Sequence, residues 1–259
     1  MEQQGLKPVR FSRLKHVGRS GLHYAHNLEH GVNETASMRL GTAAHSLAFN
    51  TRTVVELPKT IARRDVRIKA YRDFVEEQGP DAVILTAREY KDAHGMAGAL
   101  MRHTDAMRLL RGRREQELPI WKYADRECGG RPDAVTDDWI TDLKTCDSSH
   151  PVRFVNKAIW MAYHAQLAWY LHGNRETGGT ATLGFIAAVE SKAPHAITCF
   201  QLSPRALEAG EKLWVSWMEK LLVLESSNEW PAYSETICDF DVPEQEQELI
   251  FADDEEEAA

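Results

Sequence analysis

Two carboxylates and one lysine stand in a spacing that suits hydrolysis of a phosphodiester. Asp133 follows Arg131-Pro132, and Asp142-Leu143-Lys144 comes shortly after it. In an extended strand, residues two apart face the same way. Asp142 and Lys144 therefore share a face with Ile140, while Trp139, Thr141, Leu143 and Thr145 turn to the other. Asp133 sits on the preceding strand of a hairpin turned at Thr136-Asp137-Asp138, so it meets Asp142 at one end of the sheet. Two carboxylates converging there bind a hard divalent cation, with Mg²⁺ favoured at an all-oxygen site that keeps waters. The Lys144 ammonium can orient an attacking water or steady charge on the phosphorane. The metal would lower the pKa of that water and neutralise the phosphoryl oxygens.

Taken alone, the pattern is weak, because an acid-x-Lys triplet after another acid arises on the order of once in a chain this size. Two decoys are present: Pro80-Asp81 with Glu89-Tyr90-Lys91, and Glu190-Ser191-Lys192. Local structure separates them. Thr86-x-x-Glu89 reads as a capping box. That starts a helix on which Glu89 and Lys91 lie roughly 200° apart. Glu190 ends a strand, and its nearest preceding acid, Glu176, falls in the Gly-rich connection 173–179. Only the 133–144 set lies on two adjacent strands.

Further polar residues need a context. His45 follows Gly41-Thr42-Ala43-Ala44 on a helix. Glu117 opens the strand before the hairpin, and Glu115, two residues earlier on the same face, competes for its role. Gln166 and Tyr170 are four apart and share a helix face, beside a core stripe of Trp160, Tyr163 and Leu167. Without that context a helical histidine is structural, and the Gln–Tyr pair is ordinary amphipathic packing.

The elements that must position these residues follow from periodicity and punctuation. Met38, Ala44, Leu47 and Ala48 give residues 37–50 a helical stripe. Ala82–Leu85 reads as a strand, and a helix runs from Thr86 to about Thr104. Strands follow at Glu117–Tyr123, Arg131–Val135 and Trp139–Thr145. Phe154–His172 reads as one amphipathic helix stopped by Gly173-Asn174. Thr180–Val189 and Ala196–Leu202 form a strand hairpin, and Ser203-Pro204 opens a helix to about Leu224. Residues 8–27, basic and polar, and the charged stretch 51–80 receive no element. This order predicts an α/β domain, a central mixed sheet flanked by helices, over 1–243, with a disordered acidic tail at 244–259.

Composition sets the outer bounds. The 259 residues include 43% apolar ones, ordinary for a globular chain. No apolar run approaches the roughly 18 residues needed to span a bilayer, and Met1–Arg10 has no signal-peptide core. The expectation is a cytoplasmic protein without a membrane partner. Four scattered cysteines suggest neither a zinc site nor a disulfide framework. The net charge of −8 is unevenly spread: beyond Lys220 there are thirteen acids and no Lys or Arg, which leaves 31 basic against 26 acidic residues in 1–220. A mildly basic body with an acidic tail is compatible with nucleic acid, since phosphate binding needs only a local basic patch.

Taken in order, Gly41-Thr-Ala-Ala-His45, Glu117, Arg131-Pro-Asp133, Asp142-Leu-Lys-Thr145 and Gln166-Leu-Ala-Trp-Tyr170 resemble the RecB-type nucleases of the PD-(D/E)xK superfamily. The likeness extends to RecE-like and lambda-exonuclease-like phage recombination exonucleases and covers residues 8–202. It implies a single PD-(D/E)xK nuclease core. By this resemblance Asp133, Asp142 and the Leu143 carbonyl are metal ligands, completed by His45 and Glu117, around two Mg²⁺ ions that Mn²⁺ can replace. Lys144 activates the water, and Gln166 and Tyr170 match the QxxxY element beside the scissile phosphate. Arg131, Ser12 and the basic N-terminal stretch with Arg19 are the candidates for holding a 5′-phosphate. The implied activity is digestion of linear double-stranded DNA from 5′ to 3′, leaving a 3′ single strand for recombination by annealing. The implied partners are DNA ends, identical subunits in a ring (a trimer before a tetramer) and a single-strand annealing protein. The acidic tail is left two tasks, repelling DNA from the wrong surface or docking that annealing protein. The clustered cysteines of iron–sulfur relatives and the helicase arm of RecB are missing. Two alternatives remain open at this stage: a structure- or sequence-specific endonuclease on the same core, and a non-catalytic DNA-binding scaffold.

Overall fold

The computed structural model describes residues 7–111, the backbone of 113–114, and residues 117–240. Glu115 and the acidic tail 244–259 lie outside the described residues. In chain order the elements are β1 (Val9–Arg10), α1 (Phe11–Leu14), α2 (Gly21–His30), α3 (Ala36–Phe49), β2 (Val54–Glu56), α4 (Lys69–Gln78), β3 (Val83–Leu85), α5 (Ala87–Arg102) and α6 (Thr104–Leu109). There follow β4 (Arg113–Arg114), β5 (Trp121–Tyr123), β6 (Arg126–Gly129), β7 (Ala134–Val135), β8 (Trp139–Cys146), α7 (Pro151–Trp160), α8 (Tyr163–Glu176), β9 (Leu183–Glu190), β10 (Ile197–Gln201) and α9 (Pro204–Ser227).

The central sheet is mixed, in the order β10-β9-β8-β7-β4. β8 and β9 pair in parallel, and the other neighbours are antiparallel. A parallel pair cannot be joined by a tight turn; α7 and α8 supply the crossover. β8 is covered on both faces, as parallel strands usually are. Ile140 and Cys146 enter a core with Leu167, Trp169, Trp214 and Met218 of α8 and α9. Leu143 turns the other way, onto Ala44, Phe49, Met96 and Leu100 of α3 and α5. Two smaller sheets flank this centre, β1-β6-β5 and β2-β3. The fold is thus the expected mixed sheet between helices, with two satellites. Among the described residues no helix is long and apolar enough to cross a membrane, and the four cysteines are free thiols.

Several elements differ from the sequence-based expectation. The single helix over 154–172 is two helices, parted at Met161-Ala162, where Ala162 takes a left-handed conformation (φ 57°, ψ 36°). Trp160, expected in the core stripe, is instead 83% exposed. Gly173 does not stop the second helix, which runs on to Glu176; a Cβ there would collide with the Trp121 ring, so this glycine permits packing. The strands of 117–123 and 131–135 shrink to β5 and β7, because Pro119 and Pro132 cannot donate to a ladder. The unassigned stretches hold β1, α1 and α2 in 8–27, whereas 51–80 folds as β2 and α4.

Candidate active site

Register brings the two carboxylates together. Ala134 pairs with Thr141 across β7 and β8, and one residue further along the ladder Asp133 stands opposite Asp142. Asp133 Oδ2 accepts a hydrogen bond from the Leu143 backbone N–H at 2.7 Å. A strand residue directs its N–H and C=O to the same edge, so the Leu143 carbonyl is aimed along the edge that Asp133 occupies. On the side of β8 facing α8, Asp142 and Lys144 form an ion pair through Oδ2 and Nζ, with 5% and 18% of their side chains exposed.

Two helices complete the cluster. From α3, His45 Nδ1 lies 3.2 Å from Asp133 Oδ1. This helix packs closely on β8 at Gly41, where a Cβ would lie 3.1 Å from Thr145 Oγ1; that explains the small residue one turn before the histidine. From α8, Gln166 Oε1 accepts a hydrogen bond from Lys144 Nζ at 2.9 Å. Gln166 Nε2 in turn donates to the Tyr170 hydroxyl at 3.0 Å; the ammonium, which can only donate, requires the oxygen end of the amide to face it. The Tyr163 ring covers the ammonium at 4.5 Å from its centroid. Lys144 is therefore held by a carboxylate, an amide oxygen and an aromatic face.

The electrostatics follow from burial opposed by charge. Burial disfavours both carboxylates as ions. At Asp133 this is overcome by His45, Lys144 and the Leu143 N–H, and its pKa falls below the ordinary carboxylate range. At Asp142 burial prevails, aided by repulsion from Asp133, and the pKa rises despite Lys144. Burial also works against the charged forms of His45 and Lys144. The carboxylates outweigh it, Asp133 foremost at His45 and Asp142 at Lys144, and both pKa values rise. The Tyr170 hydroxyl, pushed up by burial, stays protonated as a donor and acceptor.

Other expected residues stand apart from this cluster. Glu117 is 58% exposed and pairs with Arg10 at 2.7 Å. It lines a cavity of about 230 Å³ with Val135, Asn174 and Thr177, which Asp133, Asp142 and Lys144 do not line. Ser12, Arg19 and Arg131 are exposed. One residue of the basic N-terminal stretch comes near the cluster: half-buried Lys15, just after α1, has its pKa lowered by burial and by the charge of Lys144. Its proximity arises because Phe11 and Leu14 anchor α1 in the core, a contact with no local signature.

The decoys separate as expected. Thr86 and Glu89 form the capping box, and Glu89 is bound by Arg64 at 2.8 Å. Glu190 accepts from the Ser149 backbone N–H at 2.8 Å and holds a loop.

Among the described residues, no three His, Cys, Asp or Glu side chains are arranged to hold a metal ion outright. The donor chemistry nevertheless fits a hard cation. Asp142 Oδ2 is buried, and apart from the Lys144 ammonium nothing satisfies it. Asp133, Asp142 and the Leu143 carbonyl offer oxygen from one corner of the sheet, and the protein's own cations now balance that charge.

A mixed sheet whose central strand presents Asp-x-Lys, with a second aspartate opposite, defines the PD-(D/E)xK class. The sequence matches the model of a PDDEXK-like domain of unknown function over residues 10–241, and the chain belongs to that family of nuclease fold. A crystal structure of a protein from Eubacterium rectale named "Putative exonuclease" superposes with a TM-score of 0.62 at 12% identity, covering 91% of each chain. At that identity the likeness is one of fold. A second solved structure, SSO0001, reaches a TM-score of 0.31 at 15% identity over 75% of this chain and 88% of the other, too low to argue from. No curated protein matches the sequence.

Proposed function

We propose that this protein is a metal-dependent DNA exonuclease that digests linear double-stranded DNA from its 5′ end and leaves a 3′ single strand for recombination by annealing. The carrying observation is the convergence of Asp133, Asp142, Lys144 and His45 from two strands and a helix, with Gln166 placing the lysine. Asp133, Asp142 and the Leu143 carbonyl would hold Mg²⁺ or Mn²⁺, with His45 beside them; Glu117 would have to leave its pairing with Arg10 to join them. When bound, the ion supplies Lewis-acid charge for the phosphoryl oxygens and the attacking water. Lys144, aimed by Gln166 and Tyr163, positions that water. Tyr170 keeps the amide oriented, and the buried pocket raises the value of every charge within it.

The name of the Eubacterium rectale protein supports the exonuclease reading; Ser12, Arg19 and Arg131, each exposed, would supply the contacts to a terminal phosphate. Processive digestion would come from a ring of identical subunits, a trimer or a tetramer. The test is a cleavage assay with Mg²⁺ on one DNA in linear and covalently closed circular forms, the linear form carrying either a 5′-phosphate or a 5′-hydroxyl. The reading expects digestion of the linear form only, faster from the phosphate. Rapid cutting of closed circles would replace it with an endonuclease.

A further inference from the structure

Helix α7 turns a largely apolar side to solvent. Its inward anchor is Phe154, 1% exposed, which stacks on Phe200 at 4.8 Å and leans on Tyr163. Outward stand Val152, Val155 and Ile159, 64%, 42% and 59% exposed, and Trp160 at 83%. The first three follow helical spacing and form one stripe, with the indole beside it at the last residue of the helix. A contiguous exposed apolar face marks a binding surface.

Three observations say what binds there. The first is place. Trp160 is three residues before Tyr163, whose ring covers Lys144, so their Cα atoms lie within about 11 Å along the chain. The indole thus stands on the backbone next to the residue that covers the lysine. The second is charge. In a chain with 39 acids, residues 148–175 contain no Asp or Glu. Within that run α7 presents Arg153 and Lys157 to solvent, the latter paired with Asp147. The third is shape. An open indole among cations is the arrangement with which proteins hold unpaired nucleic acid: bases stack on the ring, and the backbone follows the positive charge.

We propose that Trp160, supported by the α7 stripe, is a stacking platform for an unpaired nucleobase of the strand entering the active site. The platform replaces the stacking a terminal base pair loses when it opens, and so holds the frayed strand over Lys144. Stacking is indifferent to base identity, as suits an enzyme that digests any sequence. This inference rests on the proposed action on DNA, and its test is arranged to separate the two.

The full-length protein is titrated with a 5′-phosphorylated single-stranded oligonucleotide in Ca²⁺, with intrinsic fluorescence recorded; digestion of linear duplex is then measured in Mg²⁺. Trp160 is the most open of the seven tryptophans, so most of the quenching on binding should vanish in Trp160→Phe, which still stacks and binds within about twofold. Trp160→Ala should weaken single-strand binding about tenfold, in line with the loss of one stacked base, and raise KM with kcat within twofold. The side chain is exposed, so both variants should fold. Wild-type affinity and KM in Trp160→Ala would overturn the proposal. So would an unchanged affinity per subunit accompanied by a smaller sedimenting species, which would make the face an interface between copies. A wild-type protein that binds the oligonucleotide but digests nothing would refute the proposed function, while the fluorescence and affinity of the variants would still decide the platform.

Discussion

Two regions of this chain carry nearly the same letters and fold differently. Pro80-Asp81 with Glu89-Tyr90-Lys91 matches the nuclease pattern as well as Pro132-Asp133 with Asp142-Leu143-Lys144. In the second region a strand of period two aims the acid and the lysine the same way, and an antiparallel neighbour sets Asp133 opposite. In the first, a capping box commits Glu89 to the start of α5, Arg64 takes its carboxylate, and Lys91 is exposed. The difference lies in the backbone geometry, which gathers the side chains in one region and parts them in the other.

The largest expected effects break that comparison outright. Asp142→Asn and Lys144→Ala should each lower cleavage by roughly a thousandfold, about 4 kcal/mol in the barrier, with the fold intact by circular dichroism. Asn keeps the shape of Asp142. In Lys144→Ala, the carboxylate that burial already pushes toward neutrality can take up a proton. Glu89→Ala should retain activity and lose about 1–2 kcal/mol of stability, from the cap and from Arg64 left without its acid. Dead Glu89 variants beside active Asp142 variants would move the active site. Excess chelator should abolish cleavage to the same degree, with Mg²⁺ or Mn²⁺ restoring it and Ca²⁺ failing, because Ca²⁺ accepts looser geometry and positions water less well. Turnover in chelator would refute the metal requirement.

A smaller effect sharpens the role of α8. Gln166 reaches the cluster through its hydrogen bond from Lys144. Gln166→Ala should therefore cost about 10–100-fold in kcat, typical of a group that orients a catalytic residue, with little change in KM. Tyr170→Phe, which removes only the hydroxyl that anchors the far end of the amide, should cost less. Equal losses for the two would mean that Tyr170 acts on the substrate directly.

What the sequence reveals of this fold and this site divides along a physical line. Features written in adjacent residues were readable: the capping box at Thr86, the turn at Thr136, and the shared face of Asp142 and Lys144. Features made by distant contacts were not. No glycine or proline marks the break at Ala162, so α7 and α8 read as one helix and Trp160 as core. The amphipathic period of α7 signals an apolar side without saying whether anything covers it. β1 and β7 are two-residue strands, too short to carry a period. Lys15 reaches the neighbourhood of Lys144 only because α1 docks from the far end of the chain. Glu117 has a place in the order of motifs along the chain, but its pairing with Arg10 is a distant contact that this order does not carry.

The smallest effect concerns the decoy itself and turns on the sign of one shift. Burial raises the pKa of Glu89, but hydrogen bonds from Arg64 and Thr86 outweigh it, and the net shift is downward. A carboxylate whose folded pKa lies below its unfolded one adds stability above the unfolded value and loses it as pH falls through the folded value. At pH 7 the wild type should therefore be more stable than Glu89→Gln, which keeps a capping side chain and lacks the charge. Below about pH 4 the difference should shrink, because protonated Glu89 and Gln are then alike. Urea midpoints for the two proteins at pH 7, 5 and 3 would show the convergence, with m-values unchanged. The nuclease activity of Glu89→Gln at pH 7 should match the wild type throughout. A gap that stayed constant with pH would mean that the Arg64 pair contributes shape without charge, and a gap in activity would tie the decoy to the active site after all.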